Sequence, residues 1–245
     1  MKTCLLDMGN TRWKWMAPED DDLVLHQYEY MKDPVEGIIK ELDQMGMPEK
    51  LFVASVRHED LNNALQKALE AKGCKVRLLN WRDCVEIKTA YKDPSRLGID
   101  RYLNMLGALH LYQPPFIVVS AGTAVTVDAV DEKGVHLGGA IFPGRRLLAN
   151  VLTENTDRVD MLQPADHDTI FAQSTEAAVL AGTKYGFIAA VAGIVNTMRE
   201  TLGEQTRIIL TGGDAPVLEK HMPGGSKDTN STLLFTGMRD LLTRQ

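Results

Sequence analysis

Leu5-Leu6-Asp7-Met8-Gly9-Asn10-Thr11 and Val118-Val119-Ser120-Ala121-Gly122-Thr123-Ala124 are two versions of one phrase. In each, a short apolar run of the kind that makes a buried strand drives into a tight glycine turn. The segments just beyond the two turns are also alike. After the first phrase, Arg12 to Met16 alternates polar and apolar as a second strand would, and Leu23 to Tyr30 reads as a third. Asp33 then caps a helix whose first turn holds Pro34. After the second phrase, Val125 to Val130 and Val135 to Ile141 read as strands, and a helix starts near Arg145. The shared order of strand, turn, strand, strand and helix predicts an α/β chain built by duplication, with halves 1–114 and 115–245. Read from these residues alone, an ordinary mixed α/β domain is the alternative.

The remaining elements fit either architecture. Val35, Ile38, Ile39, Leu42 and Met45 share one helix face. Leu51 to Ser55 and Lys75 to Leu79 read as strands, separated by a helix carrying Leu61, Leu65 and Leu69 that ends near Gly73. A further helix covers about Asp100 to Tyr112, and a long one about Thr175 to Arg199. Ile208 to Leu210 is a strand ending at Thr211-Gly212-Gly213-Asp214, and short helices near Pro216–His221 and Thr232–Leu242 close the chain.

Composition narrows the function classes. The 245 residues are 44% hydrophobic and 24% charged, enough apolar material for a packed core. A net charge of -6 argues against non-specific nucleic-acid binding, which needs clustered Lys and Arg to displace counterions. It leaves room for anionic ligands held by backbone N–H groups and a few local cations. No apolar run is expected to reach the roughly 20 residues of a membrane-spanning helix. The N-terminus meets Asp7 too soon for a signal peptide. Cys4, Cys74 and Cys84 have no C-x-x-C spacing and read as reduced thiols of a cytoplasmic protein. The histidines (His26, His58, His110, His136, His167 and His221) lack metal-ligand spacing.

The glycine turns point to phosphate chemistry. Glycine lets backbone N–H groups approach an anion closely. Asp7 at the mouth of such a turn cannot bind phosphate itself, but it can hold Mg²⁺ that bridges phosphate oxygens. Asn10 and Thr11 add donors and Lys14 a positive charge. Gly9-Asn10 by itself is also an ordinary hairpin turn. Two further turns, Gly122-Thr123 and Gly212-Gly213-Asp214, each come after an apolar strand, where nucleotide sites gather in α/β sheets. No G-x-x-x-x-G-K-[ST] and no G-x-G-x-x-G after a strand is present, which excludes a Walker loop and argues against dinucleotide binding.

Taken together, these residues resemble a known family. Asp7-Met8-Gly9-Asn10-Thr11-Arg12-Trp13-Lys14 resembles the D-x-G-N-[TS]-x-x-K motif of type III pantothenate kinases. Tyr91-Lys92-Asp93-Pro94 with Leu97-Gly98-Ile99-Asp100-Arg101, then Gly122-Thr123-Ala124-Val125-Thr126, then Gly138-Gly139-Ala140-Ile141-Phe142-Pro143-Gly144 are similar to its next signatures. Ser174-Thr175 and Thr211-Gly212-Gly213 are similar to the last two. They occur in the family's order from Asp7 to Gly213. The resemblance implies two ribonuclease-H-like halves, as in the acetate and sugar kinase, Hsp70 and actin superfamily, with a cleft between them. It also implies ATP and pantothenate as ligands, and a homodimer with pantothenate near the subunit interface.

Residue roles carry over from the same motifs. Asp100 is expected to be the general base that takes the acceptor hydroxyl's proton; read alone, it also fits a helix cap. Asp7, Met8, Gly9, Asn10, Thr11, Arg12, Trp13, Lys14 and Thr123 are expected around ATP, with Asp7 placing Mg²⁺. Tyr91, Gly98, Ile99, Asp100, Arg101 and Thr175 are expected around pantothenate, Arg101 facing its carboxylate. Thr175 also fits a helix N-cap, and Arg101 a solvated helix charge. Trp13 and Trp15 share a strand face and read as core or interface packing. Arg145 reads as a surface helix start, with phosphate contact the alternative. Ser120 stands where many family members carry an aspartate that binds a monovalent cation. A neutral oxygen there implies a weaker or differently built potassium or ammonium site. The competing functions are a sugar or acetyl kinase of the same superfamily, and a nucleotide-binding regulatory or accessory protein.

Overall fold

Each glycine phrase sits at the centre of its own five-stranded sheet. In the computed structural model, which describes residues 2–18, 24–154, 169–222 and 226–243, β1 (Thr3–Met8) lies between β2 (Arg12–Met16) and β4 (Lys50–Ser55). Beyond them come β3 (His26–Glu29) and β5 (Lys75–Leu78), giving the order β3-β2-β1-β4-β5. The second sheet has the order β10-β9-β6-β7-β8. Its strands are β6 (Phe116–Ala121), β7 (Ala124–Val130), β8 (His136–Pro143), β9 (Arg207–Thr211) and β10 (Lys227–Thr229). Read from the other edge, the second order is the first again. Pairing directions match as well: the hairpin partners are antiparallel, and the two strands on the far side run parallel. The duplication read from the two phrases is therefore present strand for strand.

In the first unit, α1 (Pro34–Met45) begins where Asp33 accepts the N–H groups of Val35 and Glu36. With α2 (Glu59–Glu70) it covers the sheet, burying Ile38, Leu42, Leu65 and Leu69 against Cys4, Leu6, Leu51 and Val53. Trp13 stacks on Tyr28 and belongs to this core, as does Trp15, which stacks on His26. In the second unit α5 (Thr175–Leu202) lays Phe187, Ile188, Val191 and Val195 on β6, β7 and β9. By length and composition α5 does reach what a membrane span needs, which corrects the expectation from sequence. Its apolar face is nonetheless the core of this unit, and it also buries Lys184 and Arg199.

The units divide the chain differently from a single cut after residue 114. Contacts group Met1–Tyr112 with Thr232–Gln245, and Gln113–Ser231 separately. The last helix, α7 (Leu233–Thr243), packs on α3 (Ile99–Leu111) through a glycine crossing. A Cβ on Gly107 would strike the Leu233 carbonyl, and one on Gly237 the Leu103 carbonyl. Only glycine at both places lets the two backbones come this close. Helices α4 (Arg145–Glu154) and α6 (Ala215–His221) complete the second unit. The three cysteines are buried and unbridged. Burial pushes the thiols of Cys4 and Cys84 up to about 12, so neither is a nucleophile near neutrality. His167 lies outside the described residues.

Candidate active site

The first unit assembles its charged groups at the end of β1. Antiparallel register places Asp7 directly opposite Lys14, so both side chains share a sheet face. Asp7 is only partly exposed. Burial raises its carboxyl to about 7; Lys14 opposes that rise, and the nearby charge of Asp100 adds to it. Asp7 and Lys14 thus lie side by side, and the charge of Asp100 is felt at the same carboxyl. Such a carboxyl favours a cation over a proton when the cation is available. Its hard oxygen suits Mg²⁺, which typically takes one or two carboxylates and completes its shell with phosphate and water. Among the described residues no cluster of three or more His, Cys, Asp or Glu forms a closed metal cage.

Asp100 lies in the first turn of α3. Gly98 is the N-cap there and Asp100 the second helical residue, so the reading of Asp100 as a helix cap fails. Its carboxyl folds back over the Gly98 backbone: a Cβ at Gly98 would lie 2.5 Å from Asp100 Oδ1. Arg101 is 4% exposed, not a solvated helix charge. Its Nη1 donates to Tyr91 Oη at 2.9 Å, and its guanidinium lies 5.6 Å from the Tyr91 ring centre. A buried cation at the positive end of a helix opposes the helix dipole, so helix stability does not explain its placement. Ile99 beside it is buried.

The turn Gly9-Asn10-Thr11 is held by two side chains that its local sequence does not contain. Tyr30 Oη donates to the Gly9 carbonyl at 2.9 Å, and Arg57 Nη1 to the Asn10 carbonyl at 2.7 Å. Sequence reasoning missed both. A usable signal existed, because Arg57 comes just after β4, and β4 runs parallel to β1. The ends of adjacent parallel strands open on the same side of a sheet.

Three expected ATP residues are placed otherwise. Met8 and Trp13 are fully buried core side chains, so any contact from them is limited to backbone atoms. Arg12 points to solvent and pairs with Glu29 at 3.3 Å.

The second unit repeats the hairpin with different chemistry. Ser120 stands where Asp7 stands, one residue before the strand end, and faces Thr126 where Asp7 faces Lys14. The pair offers hydroxyl oxygens and no charge. The Thr123 carbonyl accepts the Gly144 N–H at 2.9 Å, tying the turn to the start of α4. Arg145 is not a surface helix start. It is 5% exposed and pairs at 3.3 Å with Asp214 in the third glycine turn. Thr175 opens α5, but the N-cap is Ser174, whose Oγ accepts the Ala177 N–H at 3.1 Å. Thr175 is exposed.

Two halves with strand order 3-2-1-4-5 and a glycine turn after each first strand define the actin-like, ribonuclease-H-like fold class. Solved structures agree on the fold. A protein described as a conserved candidate Baf family transcriptional activator from Campylobacter jejuni superposes with a TM-score of 0.62 at 22% identity over 98% of both chains. A candidate 2-dehydro-3-deoxygalactonokinase from Sinorhizobium meliloti gives 0.61 at 12% identity, covering 99% of this chain and 96% of its own. The family model for type III pantothenate kinase matches residues 4–197. The type III pantothenate kinase of Dichelobacter nodosus is 30% identical over 237 residues, 96% of this chain and 95% of the relative. That of Laribacter hongkongensis is 32% identical over 224 residues, 89% of each. The chain belongs to the type III pantothenate kinase family, ATP-dependent enzymes that phosphorylate pantothenate in coenzyme A biosynthesis.

Proposed function

We propose that this chain transfers the γ-phosphoryl group of ATP to the 4′-hydroxyl of pantothenate, with Asp100 as general base. The observation that carries the assignment of roles is the placement of Asp7 directly opposite Lys14 beside the Gly9-Asn10-Thr11 turn, where the charge of Asp100 is also felt. Asp100 accepts the hydroxyl proton as the new O–P bond forms and the P–O bond to ADP breaks. Asp7 anchors Mg²⁺ directly or through water, and the metal offsets phosphate charge when bound. Lys14 and the N–H groups of Gly9 to Thr11 hold phosphate oxygens. Arg101, steadied by Tyr91, takes the pantothenate carboxylate; Gly98 and Ile99 shape the wall around it. The hydroxyl pair Ser120 and Thr126 offers potassium or ammonium only neutral oxygens, which supports weak dependence on either ion.

We further infer a homodimer acting in the cytoplasm. Ile141, Ile170 and Phe171 are 60%, 51% and 84% exposed, apolar surface of the kind a partner copy covers. The test is formation of 4′-phosphopantothenate by the purified protein with Mg–ATP, beside a panel of sugars and acetate. Phosphorylation of pantothenate alone is expected. Turnover of a sugar or acetate in its place would move the chain to another kinase function.

A further inference from the structure

We infer that Tyr30 and Arg57 are positioning residues that aim two consecutive backbone N–H groups of the β1–β2 turn at the ATP phosphates. The inference rests on the kinase reading above and adds how the phosphate loop is set. In a trans peptide the C=O and the N–H of the next residue point in opposite directions across one plane. Tyr30 Oη takes the Gly9 carbonyl and Arg57 Nη1 the Asn10 carbonyl. With both oxygens drawn toward this pair, the N–H groups of Asn10 and Thr11 are turned to the opposite side. Adjacent N–H groups aimed the same way form an anion-binding concavity.

The clamp is itself built. The guanidinium of Arg57 lies 4.9 Å from the centre of the Tyr30 ring, so the two donors brace each other. The Arg57 backbone is fixed at both ends: its N–H donates to Ser55 Oγ at 3.1 Å, and its carbonyl accepts from Asn62 Nδ2 at 3.3 Å. Ser55 Oγ in turn donates to Asn62 Oδ1 at 2.6 Å. This network reaches Arg57 from the end of β4 and the start of α2, and Tyr30 enters from just past β3. Burial keeps the Tyr30 phenol protonated well beyond neutrality, with the charge of Asp7 adding to the effect. The donor is therefore available throughout the working range. The ends of two strands of one sheet, with the first turn of α2, hold a three-residue turn that would otherwise be free to flip its peptides.

The decisive experiment compares Tyr30→Phe, Arg57→Met and Arg57→Lys with the parent. Calorimetry gives Kd for a non-hydrolysable Mg–ATP analogue and for adenosine, and steady-state kinetics gives both KM values and kcat. Loss of one clamp bond should weaken the ATP analogue about five- to tenfold. Adenosine, which has no phosphates, should bind as before. KM for ATP should rise while KM for pantothenate stays within about twofold, and Arg57→Lys should recover part of the loss. A merely structural role would lower Tm and weaken adenosine and the ATP analogue together. Unchanged analogue affinity in Tyr30→Phe and Arg57→Met, both folded, overturns the proposal and leaves the kinase reading standing. A parent that binds the analogue but does not phosphorylate pantothenate overturns the acceptor assignment instead, and the same Kd values still decide the clamp.

Discussion

The hairpin β1–β2 and the hairpin β6–β7 share direction and place in their sheets, yet only the first carries charge on the cross-strand pair next to its turn. At equivalent positions Asp7 faces Lys14, and Ser120 faces Thr126. The first turn is clamped through its carbonyls by Tyr30 and Arg57. In the second, the Thr123 carbonyl accepts the Gly144 N–H instead. The duplicated frame thus repeats the turn, while the side chains beside it set the charge of each copy. Arg145 and Asp214 pair with each other near the third glycine turn.

The comparison breaks most visibly at Asp100. Asp100→Asn removes the proton acceptor from the charged copy, and kcat should fall about 10²–10⁴-fold while Mg–ATP affinity stays near the parent's. Near-normal turnover would take Asp100 out of the mechanism. Next comes Gly98→Ala, where the new Cβ would crowd Asp100 Oδ1 and move the carboxyl off its line. A displacement of this size should lower kcat about 10- to 100-fold with the fold intact.

Asp7→Asn sharpens the comparison through stability. A carboxyl raised to about 7 keeps its proton when folded between pH 4 and 7, while the unfolded chain releases it. Folding of the parent therefore weakens as pH rises through that window and then levels off. The variant lacks this slope, so its Tm advantage should grow from pH 4 to 7, to a few degrees, and no further. A constant difference would contradict the raised carboxyl. The smallest effect belongs to the uncharged copy: Ser120→Ala should change turnover less than about threefold and leave potassium dependence as weak as in the parent. A strong potassium response in the parent, lost in Ser120→Ala, would restore a working cation site to the second hairpin.

Much of the fold was legible in the chain because its signals are local. The apolar runs into glycine turns located β1, β2, β6 and β7, and Asp33-Pro34 marked the start of α1 as observed. What was not legible depends on distant partners. β10 is Lys-Asp-Thr, three polar residues with no apolar alternation, held as a strand only by pairing with β9. The placement of α7 with the first unit depends on Gly107 meeting Leu233 and Gly237, far along the chain. Within the candidate site, Asp7, Lys14, Asp100 and Arg101 were proposed from motifs, which are local. Tyr30 and Arg57 were not, because they act on carbonyls 21 and 47 residues away. Arg145 looked like a surface charge until its partner 69 residues on was placed beside it.

The most direct check on the shared site of Asp7 and Asp100 is a carbon-detected NMR titration of the Asp7 carboxyl in the ligand-free parent and in Asp100→Asn. The account predicts a midpoint near 7 in the parent, displaced downward in the variant as one negative neighbour is removed, with burial keeping it above the ordinary carboxylate range. A parent midpoint near 4, or one that does not move when position 100 loses its charge, would contradict it.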